Sequence, residues 1–343
     1  MKMFMFPKYI TSVQQIEEVL SRPSDATVES VAGYNGDIMI LGTGGKVGPT
    51  MARMVKRAME AAKIEKQVFA VDIMPMPELE KQGIKTLVCD MLDIDAVKTL
   101  PKVENIIYMA GRKFGSTGTE WITWAANVMV PHNVASVFTA SRIAVFSTGC
   151  VYPVVQLGSG GSVETDTANP VGEYAQSCLG RERMFDYYAA EKGERVVQIR
   201  LNYAVELRYG VLVDIAMKVF NSEPIDITTG YINGIWQGDV CNQVIQSLVY
   251  ASSPSSILNI TGPETVSVRW AASEFGRIFG KTPVFVGTEN GKGYLNNAAK
   301  ANSLFGNPTV PLGTMIRWIS HWIKNGGENI DKPTHFETQN GQY

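Results

Sequence analysis

Gly42-Thr43-Gly44-Gly45-Lys46-Val47-Gly48 follows an apolar run ending at Leu41 and opens a segment in which Val47, Met51, Met54, Val55 and Ala58 share one helical face. In such a strand, turn and helix the first glycine permits the tight turn and the second lets backbone approach a pyrophosphate. The third packs helix on strand, and the helix N-terminus faces the phosphate charge. The next apolar run is followed at once by Asp72, 24 residues after Gly48. A carboxylate there accepts hydrogen bonds from the adenosine ribose hydroxyls and repels a 2′-phosphate, which favours NAD over NADP. Lys46, inside the loop, is the cation placed to soften that repulsion. Asp90, just after the third run, reads equally as a contact to the adenine edge or as a helix cap.

Elements must hold these residues in place. Strand-length apolar runs at 37–41, 67–71, 86–89, 105–109, 143–147 and 196–201 alternate with amphipathic helical stretches. That alternation predicts an α/β fold, a Rossmann-type doubly wound parallel sheet with a smaller mixed C-terminal substrate lobe. The expected divisions are a helical extension at 1–36, the dinucleotide-binding domain at 37–202, and a mainly substrate-binding lobe at 203–343 from which some segments return to the sheet. In the extension, Ser12 and Gln15 form a capping-box pattern, and Val13, Ile16 and Leu20 fall on one face before Pro23. In the lobe one helix starts after Ser267 and runs to Gly280, and another runs from Leu312 towards Gly326. Gly158 to Gly161 reads as a flexible loop, and no internal repeat is found.

Composition excludes several classes. The chain has 343 residues, and 31 basic against 33 acidic residues leave a net charge of -2, so no excess charge argues for nucleic acid or an anionic membrane surface. Cys89, Cys150, Cys178 and Cys241 form no CxxC pair and His132, His321 and His335 are scattered, which suggests neither a disulfide framework nor a metal site. Met1 to Ile10 is broken by Pro7 and Lys8, and no later run reaches membrane-spanning length. The expectation is a cytoplasmic protein acting on a small molecule.

The spacing GxxGxxG resembles the short-chain dehydrogenase/reductase superfamily, and further segments are similar to its extended, epimerase/dehydratase-like branch. Phe146-Ser147-Thr148-Gly149-Cys150-Val151-Tyr152-Pro153 resembles the strand and turn carrying that branch's active-site hydroxyl, here Thr148. Asn169-Pro170-Val171-Gly172-Glu173-Tyr174 resembles the approach to its catalytic tyrosine, 26 residues further on. The resemblance implies that Tyr174 exchanges a proton with a substrate hydroxyl while hydride passes to the nicotinamide, and that Thr148 polarises the developing carbonyl. Its cofactor contacts are Gly42, Gly45, Lys46, Val47, Gly48, Asp72, Asp90, Met91, Ala110, Gly111 and Tyr174. The family motif YxxxK is broken, because Tyr174-Ala175-Gln176-Ser177-Cys178 places a thiol where the lysine belongs. That lysine holds the nicotinamide ribose and lowers the tyrosine pKa. Arg181, at i+7 on roughly the same helical face, and Lys113, in the loop after Met109-Ala110-Gly111, are the candidate substitutes.

On the substrate side, Arg200-Leu201-Asn202-Tyr203 resembles a strand end that places an asparagine, Asn202, beside nicotinamide and substrate. Lys113 and Thr148 join it as substrate contacts. Tyr231-Ile232-Asn233-Gly234-Ile235-Trp236 lies where sugar-nucleotide epimerases carry an arginine for the diphosphate, and Ile232 occupies that place. Without a planar bidentate cation, a free sugar, sugar acid or related molecule is favoured over a nucleotide-linked sugar. Trp236 is either a stacking surface for a sugar face or core. An NAD-dependent oxidoreductase or epimerase acting on a secondary alcohol is expected. The alternatives are a dinucleotide-sensing protein that has lost turnover, for which Cys178 is the motive, and a nucleotide-sugar epimerase or dehydratase. The resemblance also implies a homodimer packed through helices near 124–139 and 174–191.

Overall fold

In the computed structural model, which describes residues 6–341, the apolar runs become one seven-stranded sheet. Its strands are β1 (Ile38–Leu41), β2 (Val68–Asp72), β3 (Lys85–Val88), β4 (Asn105–Tyr108), β5 (Arg142–Thr148), β6 (Arg195–Leu201) and β7 (Ser256–Ile260). They lie in the order β7-β6-β5-β4-β1-β2-β3, and every neighbouring pair is parallel. All residues of β1 and β4 are buried because helices cover both faces, which is why these strands read as continuous apolar runs. The chain direction of growth reverses between β1 and β4. The crevice at the carboxyl ends of those strands is where α/β sheets take ligands, and both Gly42 and Ala110 emerge into it.

The N-terminal segment forms two helices, α1 (Val13–Leu20) and α2 (Asp25–Gly33), capped by Ser12 and Ser24. The helix α3 (Gly48–Ala62) follows the glycine loop and buries Met51, Met54, Val55 and Ala58, as their spacing predicts. On the sheet's other face lie a split helix, 120–137, and the long helix α4 (Gly172–Lys192), which contributes Phe185, Tyr188 and Ala189 to that core layer. The split helix contains a π turn at Ala125–Met129, a distortion common at functional sites.

Beyond β6 the chain builds the lobe from α5 (Val211–Asn221), α7 (Val268–Phe279) and α8 (Leu312–Lys324), while α6 (Gln237–Ser247) and β7 rejoin the sheet core. Helix α7 starts on a Ser267 cap and ends at Gly280. Helix α8 stops at Lys324, two residues before Gly326, because the Asn325 side chain donates to the His321 carbonyl and closes the last turn. Ile10, Ile16, Val19 and Leu20 from the N-terminus pack into the same apolar core as Val205, Phe275, Trp236 and Trp318 of the lobe. Glu17 on α1 pairs with Arg53 of α3 at 2.5 Å and with Arg208 of the lobe at 2.7 Å. The N-terminal segment therefore joins the two halves. Among the described residues no helix is long and apolar enough to cross a membrane, and no group of three or more His, Cys, Asp or Glu residues is placed to hold a metal.

Candidate active site

The glycine loop is shaped by close backbone approach. Gly42 sits at φ +87°, and a Cβ there would lie 2.5 Å from the Ala110 backbone. A Cβ on Gly48 would meet the Thr43 carbonyl oxygen at 2.2 Å, so helix and loop pack as the third glycine requires. Asp72, at the end of β2, accepts the Gly44 N–H at 2.7 Å and so stands at the loop. Val47 caps α3. Asp90 accepts the Leu92 N–H at 3.0 Å in an Asx turn. The helix cap nearby is Asp93. Met91 is buried, and its carbonyl accepts from Asn133.

A cavity of about 620 Å³ beside the loop is lined by Gly44, Gly45, Lys46, Gly111, Lys113 and Tyr209, together with Arg208 and Lys332. The Lys46 Nζ is buried without a hydrogen-bond partner and lies 3.3 Å from the centroid of the Tyr209 ring. Burial lowers its pKa to about 7, against the opposing pull of Glu206 and Asp214. A buried amine without a hydrogen-bond acceptor, beside a glycine loop and a helix N-terminus, suits a dinucleotide diphosphate. A groove of about 790 Å³ along α7 and α8 contains none of these residues.

Thr148 closes β5 and Tyr174 stands in the first turn of α4, and a hydrogen bond joins their side chains. Cys178, one turn along α4, is fully buried and within hydrogen-bond reach of Tyr174; burial pushes its thiol up to about 11. The position expected to carry an ammonium is thus neutral at physiological pH. Burial raises the Tyr174 pKa well above the ordinary phenol value, with Cys178 and Cys150 adding to it. The Arg181 charge and the Thr148 hydrogen bond oppose without prevailing.

The two candidate substitutes for the lysine are placed differently. Lys113 Nζ lies 5.8 Å from the centroid of the Tyr174 ring and donates to the Thr334 carbonyl at 3.3 Å. Burial lowers its pKa, opposed by Cys150, Asp214 and Cys178. Arg181 is buried beneath the site, donating to the Phe146 carbonyl at 2.7 Å and to Asn127 Oδ1 at 2.6 Å. Helical periodicity does put Arg181 on the Tyr174 side. That face is the sheet-facing one, so its guanidinium is tied to the frame and acts on Tyr174 only through its charge.

Asn127, in the π turn, was invisible to motif reading. Its amide donates to the Arg112 carbonyl and to Ser177, while its oxygen accepts from the Arg112 N–H and from Arg181, which fastens the 110–113 loop to α4.

Two substrate-side candidates are buried. Asn202 is 3 % exposed, and its amide donates to Asn233 Oδ1 at 2.7 Å and to the Tyr294 carbonyl at 2.9 Å, so its donors are spent on anchoring the lobe. Trp236 is core: it is 2 % exposed and meets Trp318 edge-on with centroids 5.3 Å apart. Ile232 also faces the core. The residue beside Asn202, Tyr203, packs against the lobe core. Tyr203 holds φ +42°, a strained value for a non-glycine residue. Burial raises its pKa well above normal, with further contributions from Cys150, Tyr294, Glu337 and Asp214, groups drawn from four separate segments. The C-terminal residues Thr334 and Glu337 carried no motif signal.

This sheet order, with the glycine loop after β1 and the site at the carboxyl ends of the strands, defines a Rossmann-type α/β protein. Residues 38–205 match the model of the NAD dependent epimerase/dehydratase family. Solved structures with the same fold include MoeE5 in complex with UDP-glucose and NAD, at 18 % identity and a TM-score of 0.68 over 85 % of this chain and 99 % of that one. UDP-glucose 4-epimerase from Thermus thermophilus, in complex with NAD, gives 18 % and 0.69 over 84 % and 99 %. UDP-N-acetylglucosamine 4-epimerase from Bacillus cereus gives 16 % and 0.67 over 84 % and 100 %. No curated protein sequence matches the chain.

Proposed function

We propose that the protein is an NAD-dependent epimerase or oxidoreductase acting on a secondary alcohol of a sugar, sugar acid or related small molecule. The observation that carries this reading is the hydrogen-bonded Thr148 and Tyr174 pair beside the glycine loop of the domain that matches the family model. Bound NAD supplies the hydride acceptor. Gly42 to Gly48 and Lys46 hold its diphosphate, and Asp72 takes the adenosine ribose. Tyr174 Oη accepts the substrate hydroxyl proton, and the Thr148 hydroxyl holds the oxygen that becomes the carbonyl. Lys113 stands in for the missing lysine as the ammonium beside the Tyr174 ring. Ile232, turned into the core, leaves no arginine at the place of a diphosphate contact, which favours an unconjugated substrate.

The neutral Cys178 and the raised Tyr174 pKa support a second reading, a dinucleotide-sensing protein without turnover. A panel of free sugars, sugar acids, polyols, UDP-glucose and UDP-glucuronic acid, followed by nicotinamide absorbance and by NMR of the product, separates the two. Turnover of an unconjugated member is expected. Tight NAD binding with no turnover on any member favours the sensor, and activity confined to the UDP-sugars refutes the substrate preference.

A homodimer packed through the split helix and α4 is the expected assembly. Trp121, Ile122, Met129 and Tyr187 expose 45 to 68 % of their surface on those helices. A sedimentation coefficient of a monomer at micromolar concentration rules it out.

A further inference from the structure

We propose that residues 332–341 form the outer wall of the substrate pocket and limit it to a substrate of monosaccharide size, an inference that rests on the catalytic reading of Tyr174 and Thr148.

This segment crosses from the lobe to the nucleotide-binding half, touching Lys113 and Gly172 on either side of Tyr174. On the lobe side it is firmly docked. Asp214 of α5 accepts both the Thr334 N–H at 2.7 Å and the Thr334 hydroxyl at 2.5 Å. Phe336 is 1 % exposed in the lobe core. Lys218 pairs with Glu337 at 3.2 Å, and the Thr229 hydroxyl donates to the Glu337 carbonyl and accepts from Gln339. On the other side two contacts bracket Tyr174. Lys113 Nζ, beside the Tyr174 ring, donates to the Thr334 carbonyl. Gly341 packs backbone to backbone on Gly172, two residues before Tyr174. A Cβ on Gly172 would lie 2.4 Å from the Gly341 oxygen, and one on Gly341 would lie 2.3 Å from the Val171 oxygen.

Between these ends His335 is held at φ +55°, a conformation that persists only where its neighbours are fixed. The segment thus bridges the gap between Lys113, Gly172 and Asp214. A group attached to a sugar at Tyr174 meets this segment wherever it extends between Lys113 and Gly172.

Cys150 is the probe of the wall. It is partly exposed and its N–H donates to the Thr148 hydroxyl oxygen at 3.2 Å, whereas Cys89, Cys178 and Cys241 are buried. In the NAD-loaded full chain, iodoacetamide should label Cys150 about tenfold faster, relative to its rate on a free thiol, than fluorescein maleimide does, because the bulky reagent waits for the segment to open. Gly341→Val, whose side chain cannot fit against Val171, and a chain ending at Asp331 should raise the maleimide rate about tenfold and leave the iodoacetamide rate within a factor of about three. Mass spectrometry assigns the label to Cys150, and unchanged NAD affinity shows that the variants are folded. Equal maleimide rates in the full chain and in both variants, whether fast or slow, overturn the proposal. Since no turnover is read, a failure of the catalytic assignment leaves this result distinct.

Discussion

Replacing Tyr174 by Phe should lower turnover on the active member of the sugar panel by about 10²- to 10⁴-fold, the usual contribution of a positioned acid or base, with NAD affinity unchanged. The phenyl ring keeps the packing against Cys178 and Thr148 and removes only the oxygen that exchanges the proton. In the parent enzyme the rate should climb with pH through the alkaline range. The base form of Tyr174 is the reactive one, and burial has raised its pKa, so little of it exists near neutrality. Lys113→Met should lower turnover across the same range, because it removes the amine that lies 5.8 Å from the centroid of the Tyr174 ring. Stopped-flow turnover measured across pH for the three proteins checks both statements. A Tyr174→Phe enzyme within a factor of about three of the parent would move the proton to another group. Unchanged turnover in Lys113→Met would remove Lys113 as the substitute for the family lysine.

The second large effect is on stability. Glu182 of α4 and Arg200 of β6 are 1 % and 3 % exposed, joined by contacts of 3.0 and 2.7 Å, and Glu182 also accepts the Ser147 hydroxyl at 2.5 Å. Burial works against the Arg200 charge, and the Glu182 hydrogen bonds and charge more than offset it, so its pKa is raised. Glu182→Ala leaves the guanidinium and Ser147 buried without their acceptor. The expected loss is about 3–5 kcal/mol, the cost of stranding one partner of a buried pair. Urea unfolding midpoints measure it, and a loss below about 1 kcal/mol would mean that water reaches Arg200. Removing an exposed pair such as Lys81 with Glu78 should change stability by no more than about 1 kcal/mol. Because Ser147 adjoins Thr148, this buried pair also fixes the strand end that presents the candidate hydroxyl.

Six sheet strands lie within one residue of the apolar runs that announce them, and β1 and β4, buried along their whole length, are the plainest because a doubly covered parallel strand leaves a near-continuous apolar signature. The seventh, β7, carries Asn259 inside it. That asparagine accepts from Tyr152 and donates to the Ser162 carbonyl, so a polar residue in the pattern serves a tertiary bond that periodicity cannot foresee. The glycine loop and Asp72 were legible because their geometry is local. Arg181 was placed on the right side of its helix, but its partners at Phe146 and Asn127 come from distant segments. Trp236 and Asn202 have types that suit either a ligand or a core, and only burial decides between them. Tyr203, Asp214, Thr334 and Glu337 come together through the lobe and the chain terminus, with no shared motif to tie them in sequence.

The divided carboxylate of Glu17 has a mechanical meaning. Fastened at once to Arg53 and Arg208, it acts as a tie rod between the halves of the molecule. Spreading them would break two partly exposed ion pairs, each worth up to about 1 kcal/mol. It would also draw Ile16, Val19 and Leu20 out of the lobe's apolar core. The width of the cleft is therefore set by the N-terminal helices, and discrimination by size falls to a part outside that brace, the C-terminal segment resting on Gly172.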